Sequence, residues 1–94
     1  MEKKVELKVD KTVTRLAGYP LGKKIYEEQV KGCIDLSESF ILVFPSNIKK
    51  LASSFIQGMF GELVEKIGIS GIERQITIES VNPEMKKNIL DNLV

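Results

Sequence analysis

The sequence predicts an α/β domain: a mixed, mostly parallel sheet of about four strands joined by about three helices. Three stretches carry that prediction. Phe40-Ile41-Leu42-Val43-Phe44 is an unbroken apolar run, Phe55 to Ile67 carries apolar residues at helical spacing, and Gln75-Ile76-Thr77-Ile78-Glu79 returns to strand-like alternation. Strand, helix and strand in succession imply a right-handed crossover and parallel pairing, with the N-terminal strands free to add antiparallel pairing.

At the start of the chain, Val5, Leu7 and Val9 alternate with Glu6, Lys8 and Asp10, the period of a strand with one wet face. Val13 and Leu16 extend the pattern as a bent strand or a hairpin, until Gly18-Tyr19-Pro20 breaks it. Pro20 suits the first position of a helix, Leu21, Ile25, Tyr26 and Val30 supply its apolar stripe, and Gly32 stops it. Cys33 to Ser39 is a loop or strand entry. The apolar run that follows fits a strand covered on both faces or near the centre of a sheet, and Pro45 ends it for want of an amide.

The central helix follows. Phe55, Ile56, Met59, Phe60, Leu63, Val64 and Ile67 fill one broad face. Ser54-x-x-Gln57 reads as a capping box, with Ser53 as the alternative cap. Gly68 is the expected C-cap, with a turn through Gly71. After the next strand, Asn82-Pro83-Glu84 is a helix start, and Met85, Ile89, Leu90 and Leu93 give the last helix its buried stripe.

Composition narrows the function. Ninety-four residues, 43% hydrophobic and 29% charged, make one domain over 1–94. With 14 basic against 13 acidic side chains, nothing draws the chain as a whole to nucleic acid or an anionic membrane. The lone Cys33 fits a reducing, cytoplasmic setting and reads as a small buried filler. There is no histidine, so the commonest general base and metal ligand are missing, and neither metal nor cofactor is expected. The carboxylate pairs Glu27-Glu28 and Glu62 with Glu65 fall on predicted solvent faces. A non-catalytic role is the expectation.

Two surfaces remain as candidates. Opposite the apolar face of the central helix, Ser54, Gly58, Gly61 and Glu65 lie within roughly 60° of one another at 100° per residue. With Ser53 and Gln57 they form a stripe of small and polar residues suited to close approach by a protein partner or by self-association. The alternative is that a neighbouring helix covers the glycines. The second candidate is Gly18-x-x-x-Gly22-Lys23-Lys24 with Arg15, where glycine amides and basic side chains suggest anion or nucleotide sensing. Its plainer reading is a solvated basic face.

The segment Ser53-Ser54-Phe55-Ile56-Gln57-Gly58-Met59-Phe60-Gly61-Glu62-Leu63-Val64 resembles the S-S-F-x-E-E-x-F-G-x-L-V signature of a bacterial STAS-like family of unknown function. That family is distantly related to the STAS domains of anti-sigma-factor antagonists. The resemblance implies a STAS-like single domain acting as a regulatory interaction module. It also implies a phospho-acceptor serine at the start of the central helix, here Ser54 with Ser53 adjacent, and a kinase-like regulator as partner. Gln57 and Gly58 stand where the family usually shows acidic residues, and Phe44 stands near where an Asp commonly closes the strand.

Overall fold

The computed structural model describes residues 3–93. In chain order its elements are β1 (Lys3–Glu6), β2 (Arg15–Leu16), α1 (Tyr19–Ile25), β3 (Phe40–Val43), β4 (Lys50–Leu51), α2 (Ser53–Gln75), β5 (Ile76–Glu79) and α3 (Met85–Leu93). The first helix runs on through a π-helical turn, Tyr26–Val30, and a 3-10 turn, Lys31–Cys33.

β3 is the centre of a three-stranded sheet of order β1-β3-β5, and both pairings are parallel. With strands added in sequence order and right-handed crossovers, α1 and α2 come to the same face of the sheet, where they pack on each other. Strand alternation then sorts the side chains. Val5, Phe40, Leu42 and Ile76 point to the helices and are buried. Their neighbours on the other face, Lys4, Glu6, Thr77 and Glu79, are exposed, and Lys4 reaches Glu79 at 3.6 Å. Ile41 and Val43 are half-buried between them. The apolar run is therefore central in the sheet but covered on one side only.

The N-terminal segment forms neither a hairpin nor an antiparallel ladder among the described residues. Beyond β1, Asp10 accepts hydrogen bonds from the Thr12 amide, 2.9 Å, and hydroxyl, 2.8 Å. The Asn47 side-chain amide then donates to the carbonyls of Asp10, 3.0 Å, and Val13, 2.6 Å. This pins the segment against the loop after β3, so β2 pairs in parallel with β4, Arg15 beside Lys50 and Leu16 beside Leu51.

The predicted apolar face of α2 is the core. Phe55, Ile56, Met59, Phe60 and Leu63 are buried together with Phe40, Leu42 and Phe44. Each such side chain stabilises the fold by about 1.5 to 3 kcal/mol relative to exposure. Gly68 breaks α2 with φ 72° and ψ 170°, a conformation open to glycine, and a second helical run to Gln75 replaces the expected turn. Before α3, Asn82 Oδ1 accepts the Glu84 amide at 2.9 Å. Met85 and Ile89 are buried beneath that helix. Cys33 is exposed, not buried, because it sits in the 3-10 turn that leaves the core.

Two glycines set the distance between α1 and α2. A methyl group added at Gly58 would overlap the Tyr19 carbonyl, and one at Gly22 would overlap the Phe55 carbonyl and crowd the Met59 amide. At Gly61 a methyl would meet nothing within 4 Å. Gly58→Ala and Gly22→Ala should each destabilise the protein by about 2 to 3 kcal/mol, since the neighbouring atoms are backbone and cannot turn aside. Gly61→Ala should stabilise it by about 0.5 to 1 kcal/mol by removing the entropic cost of glycine in a helix. Urea or thermal unfolding of the three variants measures both signs.

Candidate functional site

The N-terminus of α2 is positioned by the small sheet before it. The Ala52 amide donates to the Leu16 carbonyl at 2.8 Å, and the Ala52 carbonyl accepts the Ile56 amide at 3.0 Å. Ala52 is therefore the N-cap, extended at φ −76° and ψ 153°, without a side-chain capping bond. The helix starts at Ser53, earlier than a capping box at Ser54 and Gln57 requires. Freed from that role, the Ser54 hydroxyl oxygen accepts the amide of Gly18 at 3.1 Å and ties the starts of the two helices together. Gln57 is exposed and takes no part in capping.

Of the residues singled out on α2, Ser53, Ser54, Gln57 and Glu65 are exposed, and Gly61 is half-exposed with open space at its Cα. Gly58 is not on that surface. It is buried beneath the first residues of α1, because the matched glycines Gly22 and Gly58 let the two backbones approach side to side. A glycine on each of two successive amphipathic segments was the sequence signal for this crossing.

The groove between the helices brings Gly61 and Glu65 of that stripe together with residues of the first helix. Tyr19, 51% exposed, stands at its head. Lys23, Tyr26, Gly61, Glu62 and Glu65 continue it. Glu62 is half-buried here instead of fully solvated. The Tyr26 hydroxyl beside it, followed by the ammonium groups of Lys31 at 3.3 Å and Lys66 at 3.6 Å, holds its carboxyl below the usual range. Burial pushes the Tyr26 phenol up, and the Glu62 carboxylate adds to that effect.

The basic candidate site is not assembled as predicted. Gly22 is buried in the helix crossing, and its amide donates to the Gly18 carbonyl at 3.1 Å. Lys23 and Lys24 fall in the last turn of α1, on an open surface shared with Glu27 and Glu28. Arg15 lies on β2 beside Lys50. Elsewhere, two shallow troughs of about 450 and 490 Å³ share Leu7, Lys8, Pro45 and Ser46 at the carboxyl ends of the strands. That is the end at which open α/β sheets hold ligands. Among the described residues no group of three or more cysteine and carboxylate side chains is placed to hold a metal ion, and no helix is long and apolar enough to cross a membrane.

A family model, the STAS-like domain of unknown function (DUF4325), matches residues 22–86, from the helix crossing to the start of α3. Neither the curated proteins nor the solved structures include a match to this chain.

The Glu62 cluster makes a pH prediction. Its carboxyl has a lower pKa in the folded chain than its ordinary 4.5, so the stability it contributes is complete above pH 4.5 and is lost as pH falls through the folded value. The stability difference between the native protein and Glu62→Gln should therefore narrow as pH is lowered below 4.5. Denaturant titrations of both proteins across that range provide the measurement.

Proposed function

The chain belongs to the STAS-like domain family of unknown function, and from that premise we propose that it is a non-catalytic regulatory module that docks a protein partner on the exposed flank of α2. The docking surface runs from Ser53 and Ser54 through Gln57 and Gly61 to Glu65, with Tyr19 of α1 at its edge. The observation that carries the reading is the open Cα of Gly61 beside an exposed aromatic ring. A bare helix backbone admits close approach, and an exposed tyrosine supplies contact area at low entropic cost. An exposed thiol at Cys33 suits the reducing cytoplasm as the place of action.

Ser54 is the candidate switch. Its hydroxyl is exposed and already accepts one amide, so a phosphate there has Gly18 and the first turn of α2 as donors. It would add about −1.5 to −2 charges that a docking partner, such as a kinase-like regulator, must desolvate. The fold tolerates that charge and the complex does not.

A small-molecule sensor is the second reading. The double trough at the carboxyl ends of the strands favours it, not the segment around Gly22. Thermal-shift screening separates the two readings, because a bound metabolite raises the melting temperature by mass action and a pure docking module shows no shift.

Purification of partners with the native chain and its variants as bait tests the docking surface. Gly61→Arg and Ser54→Asp should fold normally and lose the partner, whereas Ser54→Ala and a distant control on α3, Lys87→Glu, should retain it. Retention by Gly61→Arg would place the docking surface elsewhere.

A further inference from the structure

The sheet has two outer strands, and their free backbone groups differ. The Leu7 amide donates to the Val43 carbonyl at 2.9 Å, so along β1 the odd residues turn their backbone groups toward β3. Lys4, Glu6 and Lys8 turn theirs outward. At Lys8 the outward groups are taken: its amide donates to Gln29 Oε1 at 2.7 Å, and its carbonyl accepts Gln29 Nε2 at 2.9 Å. One glutamine side chain thus stands where an added strand would, and it closes that end of the edge. The outward groups of Lys4 and Glu6 have no such partner among the described residues. The open stretch of edge is two residues long.

We propose that this stretch is a self-recognition edge, at which β1 pairs antiparallel with β1 of a second copy and joins two sheets into one. A two-fold axis normal to the sheet reverses strand direction and keeps each face on its own side. Residues placed opposite one another must therefore come from the same face, which limits the registers. The register centred on Val5 sets Lys4 opposite Glu6 of the second copy, and Glu6 opposite its Lys4. Each of these pairs exchanges both N–H···O bonds, so the outward groups satisfy one another. Their side chains project from the open face, where Lys4 is already held over the sheet by Glu79. A shift of two residues in either direction sets Lys4 against Lys4 or Glu6 against Glu6, so like charges disfavour both.

The other edge has no such selection. The Phe44 amide donates to the Glu79 carbonyl, so on β5 the outward residues are Ile76 and Ile78. Pairing centred on Ile78 sets Thr77 against Glu79, with no opposite charge. Charge complementarity therefore picks β1, and it picks a second copy of this chain as the occupant. The pairing uses none of the residues of the α2 docking surface, so neither proposal depends on the other.

Sedimentation velocity over a range of concentrations tests the pairing, with amide hydrogen exchange as a second measurement. The native chain should show a concentration-dependent monomer–dimer equilibrium. Glu6→Lys should weaken it by roughly tenfold or more, since two attractive cross-strand pairs become repulsive. The double exchange of Lys4→Glu with Glu6→Lys should restore it. As dimer forms, the amides of Lys4 and Glu6 should slow their exchange while that of Ile78 stays constant. A monomer at every concentration, a Glu6→Lys dimer of native strength, or exchange at Lys4 and Glu6 that ignores concentration would each overturn the proposal.

Discussion

The contact on which the rest of this structure depends is the backbone crossing of α1 and α2 at Gly22 and Gly58. No side chain larger than hydrogen fits at either position, so the helices meet carbonyl to Cα. Once they are that close, the Gly18 amide lies within reach of the Ser54 hydroxyl, and the starts of both helices are joined by a hydrogen bond at 3.1 Å. The Tyr19 backbone lies over Gly58, and its side chain is exposed to solvent. The groove beyond it is closed by Tyr26 and Glu62 but leaves Gly61 open at its rim. The candidate docking surface is thus a by-product of the crossing.

Packing both helices on one face has a second consequence. The sheet keeps an open face on which charged and β-branched side chains alternate, and it keeps outer strands on both sides. Unpaired strand edges invite association, and proteins manage them with charge or by covering them. Here Gln29 covers one end of β1 and Lys4 and Glu6 leave the remainder charged with both signs. Mixed signs repel a random strand less than they select a matching one. The proposed docking flank on α2 and the proposed pairing edge on β1 share no residue, so the two proposals concern separate faces of the domain.

The π-helical turn connects these two regions. Widening the helix at Tyr26–Val30 buries Tyr26 and Val30 together and turns Gln29 toward the end of β1. The Tyr26 phenol meets Glu62 on α2 from the same turn. Gln29 and Tyr26 thus leave from one turn toward two different elements. π-Turns inside α-helices are frequent at functional positions for the same reason: they aim side chains that a regular helix spreads differently.

Much of this was legible in the residues themselves. The apolar face of α2, from Phe55 to Leu63, is buried as its spacing demands, and so are Met85 and Ile89 of α3. Gly68 ends the first run of α2 at the expected position with a positive φ, though its ψ of 170° is extended and a second helical run follows in place of a turn. These features are local: periodicity, chain punctuation and side-chain size act within a few residues, so a sequence determines them by itself. The start of α2 differs from the capping-box pattern because the Leu16–Ala52 ladder, between residues distant in sequence, decides which residue is the cap. At Gly58 the alternative holds, cover by a neighbouring helix, while Gly61 stays open, because a helix's own geometry does not record what packs on its far side. Gly22, Cys33 and Glu62 depart from their expected exposure for the same reason, since burial belongs to the neighbours. Which faces exist was written in the chain. Which of them stayed open, and where each edge strand found a cap, was decided by long-range packing of residues that no local pattern brings together.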